Sequence, residues 1–193
     1  VQPGAAAAPN IARLRLQLAA DKNTLLERFN AARANPQGAI TLVRGLARLV
    51  DQTLGELWIT CGMPRGAALV AAGGYGRGEL FPHSDVDVLV LLPAELTAEG
   101  ARASVERFIA ACWDIGLEIG SSVRSVEECV VEAARDVTVQ TALLESRPIG
   151  GARKLFATLR ERLALDMDPR AFLRAKVLEM RQRHTKFQDT PYS

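Results

Sequence analysis

The chain has 193 residues, 48% hydrophobic and 24% charged, with a formal net charge of +2. This is a globular composition with length for one ordinary domain and a sizeable core, and it is not that of a disordered chain. The charge is too small to suggest a nucleic-acid footprint, and the apolar runs are too short for a membrane span.

The first residues lack the charged start and apolar run of a signal peptide, and a start at Val1 instead of Met reads as a fragment or trimmed chain. Cys61, Cys112 and Cys129 form no Cys-x-x-Cys pair and read as reduced, buried thiols of a cytoplasmic protein. Residues 1–9 are expected to be a flexible tail. Asn10 is placed as the cap of a helix with the stripe Ile11, Leu14, Leu18, Leu25 and Phe29, which Asn35-Pro36 ends. A second helix carries Leu42, Leu46, Leu49, Val50, Thr53 and Leu57 and stops near Gly62. Residues 10–62 are thus N-terminal helices packed on a core that runs over 63–165.

Within that core Ala67–Ala72 reads as a short strand, and Asp85–Leu92, rich in β-branched residues and closed by Pro93, as a second. A helix over Thr97–Gly116 presents Val105, Phe108, Ile109, Cys112 and Trp113, and Leu117–Arg124 reads as a third strand. Ser125-Val126-Glu127-Glu128 fits a capping box, and Asp136 caps a helix over Val137–Glu145. Arg147–Ile149 reads as a short edge strand. Gly150-Gly151 is expected to turn into a helix ending near Leu165. Asp168-Pro169 starts the last helix, whose seam is Leu173, Val177, Met180, His184 and Phe187. Residues 166–193 read as the truncated start of a following helical segment.

The chemistry concentrates in Gly73-Gly74-Tyr75-Gly76-Arg77-Gly78 and in Ser84-Asp85-Val86-Asp87. Residues i and i+2 of a strand share a face, so Asp85 and Asp87 point the same way. Two carboxylates on one face repel unless a cation lies between them, and hard cations such as Mg2+ take a few carboxylates plus substrate phosphates. The glycines supply unhindered N–H groups to phosphate oxygens. The parts together suggest a metal-assisted reaction on a nucleoside triphosphate. The spacing is not that of a dinucleotide-binding fingerprint, and a Walker A Gly-Lys-Ser/Thr is missing.

A third carboxylate is expected from a neighbouring strand, with Glu118 the first candidate and Glu145 the weaker one. Arg77 either holds triphosphate oxygens or pairs with Glu79; Ser84 either meets a phosphate or caps the turn. His83 reads as a loop contact and His184 as a packing residue. Arg124 and Arg147 either meet phosphates or close the fold.

Ala72-Gly73-Gly74 followed by Asp85-Val86-Asp87-Val88 resembles the nucleotidyltransferase superfamily that includes DNA polymerase β. The wording Gly-Gly-Tyr-Gly-Arg-Gly-Glu-Leu-Phe-Pro, with Leu117–Arg124 and Leu143–Arg147, looks like the bacterial PII-protein uridylyltransferase/uridylyl-removing family of nitrogen regulation. The resemblance implies an α+β fold: a small mixed sheet flanked by helices, with further helices at both ends. It implies two Mg2+ held by Asp85, Asp87 and Glu118, with Gly73, Gly74, Arg77 and Ser84 on the nucleotide. It implies transfer of a uridylyl group from UTP to a tyrosine of the PII signalling protein, releasing pyrophosphate. Two alternatives stay open: adenylyl transfer to a PII or glutamine-synthetase-like protein, and a non-catalytic nucleotide-binding regulatory module. The family's removing activity belongs to a histidine–aspartate metal domain; the two histidines here are not followed by Asp. The expectation is therefore a transferase part alone, without nucleic-acid or membrane partners.

Overall fold

The structure is a computed structural model that describes residues 7–32, 35–96 and 98–186. Helix α1 (Ala7–Ala31) begins three residues before Asn10. Alanines favour the helix, and Pro9 falls in the first turn, where its missing N–H costs nothing. Of the tail expected over 1–9, residues 7–9 are thus helical, and 1–6 lie outside the described residues. Asn10 is inside α1 and donates from Nδ2 to Thr60 Oγ1 at 3.0 Å, pinning α1 to the end of α2 (Pro36–Thr60). Asn35 caps α2 by accepting from the Gly38 amide at 2.7 Å, with Pro36 in the first turn.

The sheet is mixed and has four strands: β1 (Ala68–Ala71), β2 (Val86–Leu92), β3 (Ile119–Ser125) and β4 (Arg147–Gly151), in the order β3-β2-β1-β4. β1 is antiparallel to both β2 and β4, while β2 and β3 run parallel in the register Asp87↔Gly120. A parallel pair needs a crossover, and helix α4 (Ala98–Asp114) supplies it. The remaining helices are the one-turn α3 (Gly73–Gly76), then α5 (Val126–Arg135), α6 (Val137–Leu144), α7 (Arg153–Asp166) and α8 (Pro169–Lys186). The chain is α+β, as expected.

Both sheet faces are covered, which is why β1 and β2 read as nearly unbroken apolar runs instead of alternating ones. Val86, Val88, Val90 and Leu92 pack with α1, α2 and α4, where Trp58 and Phe108 meet edge-on at 5.7 Å. Leu89 and Leu91, one residue out of phase, pack with Val126, Cys129, Leu143, Leu159 and Leu163 from α5, α6 and α7. The capping box at Ser125 and the Asp136 cap both form. Gly150 and Gly151 differ from expectation: they finish the edge strand instead of turning out of it. Gly151 holds φ +75°, and an added Cβ would lie 2.3 Å from the Ala67 carbonyl oxygen, so the close approach of β4 to β1 demands glycine.

All three cysteines are buried and free. Burial pushes the Cys112 thiol up to about 12 and the Cys129 thiol up to about 11, so both stay protonated packing groups. On α8, Leu173, Val177 and Met180 are exposed, and so is His184, which was expected to pack; Phe187 lies outside the described residues.

Candidate active site

Asp87 takes its orientation from the two-residue period of β2. It shares a face with Leu89 and Leu91, but it stands at the strand's start, beyond the reach of α5 and α7, and is exposed. Asp85 lies two residues before it, also exposed. Together with Gly74, Arg77, Ser84 and His83 they line one cavity of about 450 Å³. The structure therefore brings Gly74, Arg77, Ser84, Asp85 and Asp87 together. Burial and the neighbouring Asp85 charge push the Asp87 carboxyl above its ordinary range.

The carboxylate of Asp87 sits between two glycines. A Cβ on Gly73, which holds φ +55°, would lie 3.0 Å from Asp87 Oδ2; a Cβ on Gly120 would lie 2.5 Å from Oδ1. Gly73 is thus needed both for a left-handed backbone and for space, and Gly120 for space alone. The first amides of the α3 turn, those of Gly73 and Gly74, have no intrahelical acceptor.

The turn is held from below. Tyr75 is buried, and its hydroxyl donates to Asp51 of α2 at 2.5 Å. Arg147 of β4 grips the same carboxylate through both terminal nitrogens, at 2.8 and 2.9 Å, and its guanidinium lies 5.1 Å from the Tyr75 ring centre. Arg147 therefore closes the fold and does not reach for phosphate. Arg77 pairs with Glu145 at 2.6 Å and stands 4.0 Å from Glu79. Glu145, the weaker candidate for a third ligand, is engaged in this pair.

Glu118 lies just before β3, and its carbonyl accepts from the Val86 amide at 2.9 Å. Glu118 lines a different cavity of about 410 Å³, with Arg15, Lys22, His83 and Ser84. Among the described residues no group of three His, Cys, Asp or Glu side chains is gathered for a metal ion. A third cavity of about 360 Å³ is also lined by Asp87, together with Gly73 and residues of β3 and α6.

Residues 53–143 match the family described as "Nucleotidyltransferase domain". The chain carries a nucleotidyltransferase domain. The mixed four-stranded sheet with its Asp-x-Asp strand fits the polymerase β-like fold of that family. The chain is homologous to the bifunctional uridylyltransferase/uridylyl-removing enzyme of Cupriavidus pinatubonensis, 57% identical over 182 residues, 94% of this chain and 20% of the relative. The enzyme of the same name from Burkholderia orbicola is 54% identical over 189 residues, 98% of this chain and 21% of the relative. The chain thus spans about a fifth of the length of the curated relatives it matches.

Sequence reasoning missed the domain's supporting pair, Asp51 and Tyr75. A signal was available: Asp51 interrupts a helical face between the buried Ala47, Val50, Leu54 and Leu57, where an acid needs a partner. It also missed the β3–α6 cavity, because strand–helix grooves depend on tertiary placement.

Proposed function

We propose that this chain transfers a uridylyl group from UTP to a tyrosine hydroxyl of the PII nitrogen-signalling protein, in the cytoplasm, releasing pyrophosphate. The observation that carries the proposal is the placement of Asp85 and Asp87 in one cavity with Gly74, Arg77 and Ser84. The names of the relatives supply the uridylyl group and the transfer.

Asp85 and Asp87 are two hard oxygen donors in one cavity; desolvation and, second to it, the Asp85 charge raise the Asp87 carboxyl, and a divalent cation would offset both. They would hold Mg2+, which supplies charge neutralisation on the triphosphate and an acidified attacking hydroxyl. The amide of Gly74 and the Ser84 hydroxyl hold phosphate oxygens and exclude water from them, while Gly73 lines the neighbouring cavity beside Asp87. Arg77, steadied by Glu145, adds positive charge at the leaving pyrophosphate. The tyrosine O–H gives its proton to solvent water, an oxygen–phosphorus bond forms at the α-phosphate, and the bond to pyrophosphate breaks, its electron pair leaving with pyrophosphate. Catalysis is then positioning and electrostatics.

The test is incubation with Mg2+, PII protein and either UTP or ATP labelled on the α-phosphate. Label on PII from UTP is the expected result. Label from ATP alone would point to adenylyl transfer, and nucleotide binding without transfer to a regulatory module.

A further inference from the structure

We infer that the cavity between β3 and α6 is the acceptor pocket, seating an aromatic hydroxyl whose flanking acidic residue pairs with Arg124. The inference rests on the transfer reading above and extends it to a place for the second substrate.

Asp87 lines two cavities, and Gly73 lines the second with it. The first holds the parts suited to phosphates: Gly74, Arg77 and Ser84. In phosphoryl-type transfer the attacking and leaving oxygens lie roughly in line on opposite sides of the phosphorus. With pyrophosphate on the Arg77 side and the reacting phosphorus at Asp87, the attacking oxygen comes from the other side. We assign that side to the second cavity because it shares Asp87 with the first; its volume of about 360 Å³ is near the lower end for ligand pockets.

Its walls fit an aromatic alcohol. Val139 and Ala142 of α6 give an aliphatic surface for a ring, while Ser122 and Thr138 offer hydroxyls. Gly120, Ser122 and Arg124 alternate along the face of β3 that faces Asp87, so the pocket runs from the carboxylate toward Arg124. Arg124 is half-buried. Among the described residues no hydrogen bond or ion pair engages its guanidinium, whereas Arg77 is committed to Glu145 and Arg147 to Asp51. Glu128, the acid whose charge it feels, is turned into the Ser125 capping box. A half-buried guanidinium lining a ligand-sized cavity suits an anionic group on what binds there.

The experiment compares the unaltered chain with Arg124→Gln, Arg124→Glu and Ala142→Phe, after matching their thermal midpoints. Binding of PII protein and binding of a fluorescent UTP analogue are measured separately. The pocket assignment predicts that Arg124→Glu and Ala142→Phe weaken PII binding by about tenfold or more, Arg124→Gln by less, and UTP-analogue binding by under about twofold. Weakened nucleotide binding with unchanged PII binding would assign the cavity to the nucleoside and overturn the inference. Unchanged binding of both, or equal weakening of both, would overturn it as well. If the unaltered chain neither binds PII nor labels it, the transfer reading falls and the pocket with it; normal labelling by a fully tolerant Arg124→Glu removes the pocket alone.

Discussion

Substituting Gly120 by Ala tests how tightly the site is built. The added methyl would stand 2.5 Å from Asp87 Oδ1. Ordinary contact between such atoms begins near ~3.5 Å, so the carboxylate must retreat by roughly 1 Å. Retreat is confined on the opposite side, where Gly73 approaches Oδ2. A misplacement of about 1 Å at a reacting centre costs on the order of 100-fold in rate. Stability should move the other way. Gly120 holds no left-handed backbone angle, and alanine in a strand is favoured over glycine by roughly 0.5–1 kcal/mol, which offsets the displacement of an exposed side chain. The expected outcome is transfer of α-labelled UMP to PII slowed by about two orders of magnitude, with the thermal midpoint unchanged or slightly raised. Near-normal transfer by Gly120→Ala would show that the Asp87 position seen here is not the working one. A collapsed midpoint would show that the β2–β3 register depends on Gly120 for folding.

Asp87→Asn should abolish transfer, by about 10^3-fold or more, yet raise the thermal midpoint near neutral pH. Because folding raises the Asp87 pKa, its ionisation costs stability; the cost is full above the folded-state value and absent below the unfolded value of about 3.9, so the gain should vanish in acid. A stabilisation that persisted unchanged at low pH would point to packing instead of charge. Asp51→Asn breaks the partly exposed pair to Arg147 and weakens the Tyr75 bond; a loss of about 2 kcal/mol is expected, read as a midpoint lowered by ~4–8 °C. An unchanged midpoint would mean the clamp contributes little. Glu118→Gln decides whether an oxygen ligand comes from the start of β3: a raised Mg2+ requirement for transfer assigns it there, while an unchanged Mg2+ titration leaves Asp85 and Asp87 without it.

The carboxylate pair, the strand that carries it and the strand beside it were legible because their signals are local: i, i+2 facing, β-branched runs and glycine spacing. So were the caps at Ser125 and Asp136, whereas Asn35 read only as the end of the first helix and the cap expected at Asn10 lies inside α1. What was not legible depends on distance in sequence. Gly150-Gly151 look like a turn until the approach of β4 to the Ala67 carbonyl is seen. Arg147 could not be told from a phosphate ligand because its partner lies on α2. The first helix began early because a proline in an opening turn breaks nothing, and the seam of α8 reads like a core stripe although Leu173, Val177, Met180 and His184, its described residues, are exposed.

The clamp under the glycine turn has a consequence for the order in which the molecule takes shape. Asp51 meets Tyr75 across 24 positions of chain and Arg147 across 96. Closing the longer of these loops costs entropy that the β1–β4 ladder at Arg147 offsets, so the turn is secured only with the last strand at the sheet edge. The stretch that carries the family pattern, 53–143, lies between the two charges and contains neither. A chain cut to those bounds would keep both aspartates and every glycine around them, yet the turn would open as a locally unstable unit. The turn beside the two aspartates thus depends for its rigidity on Asp51 and Arg147, which do not line their cavity.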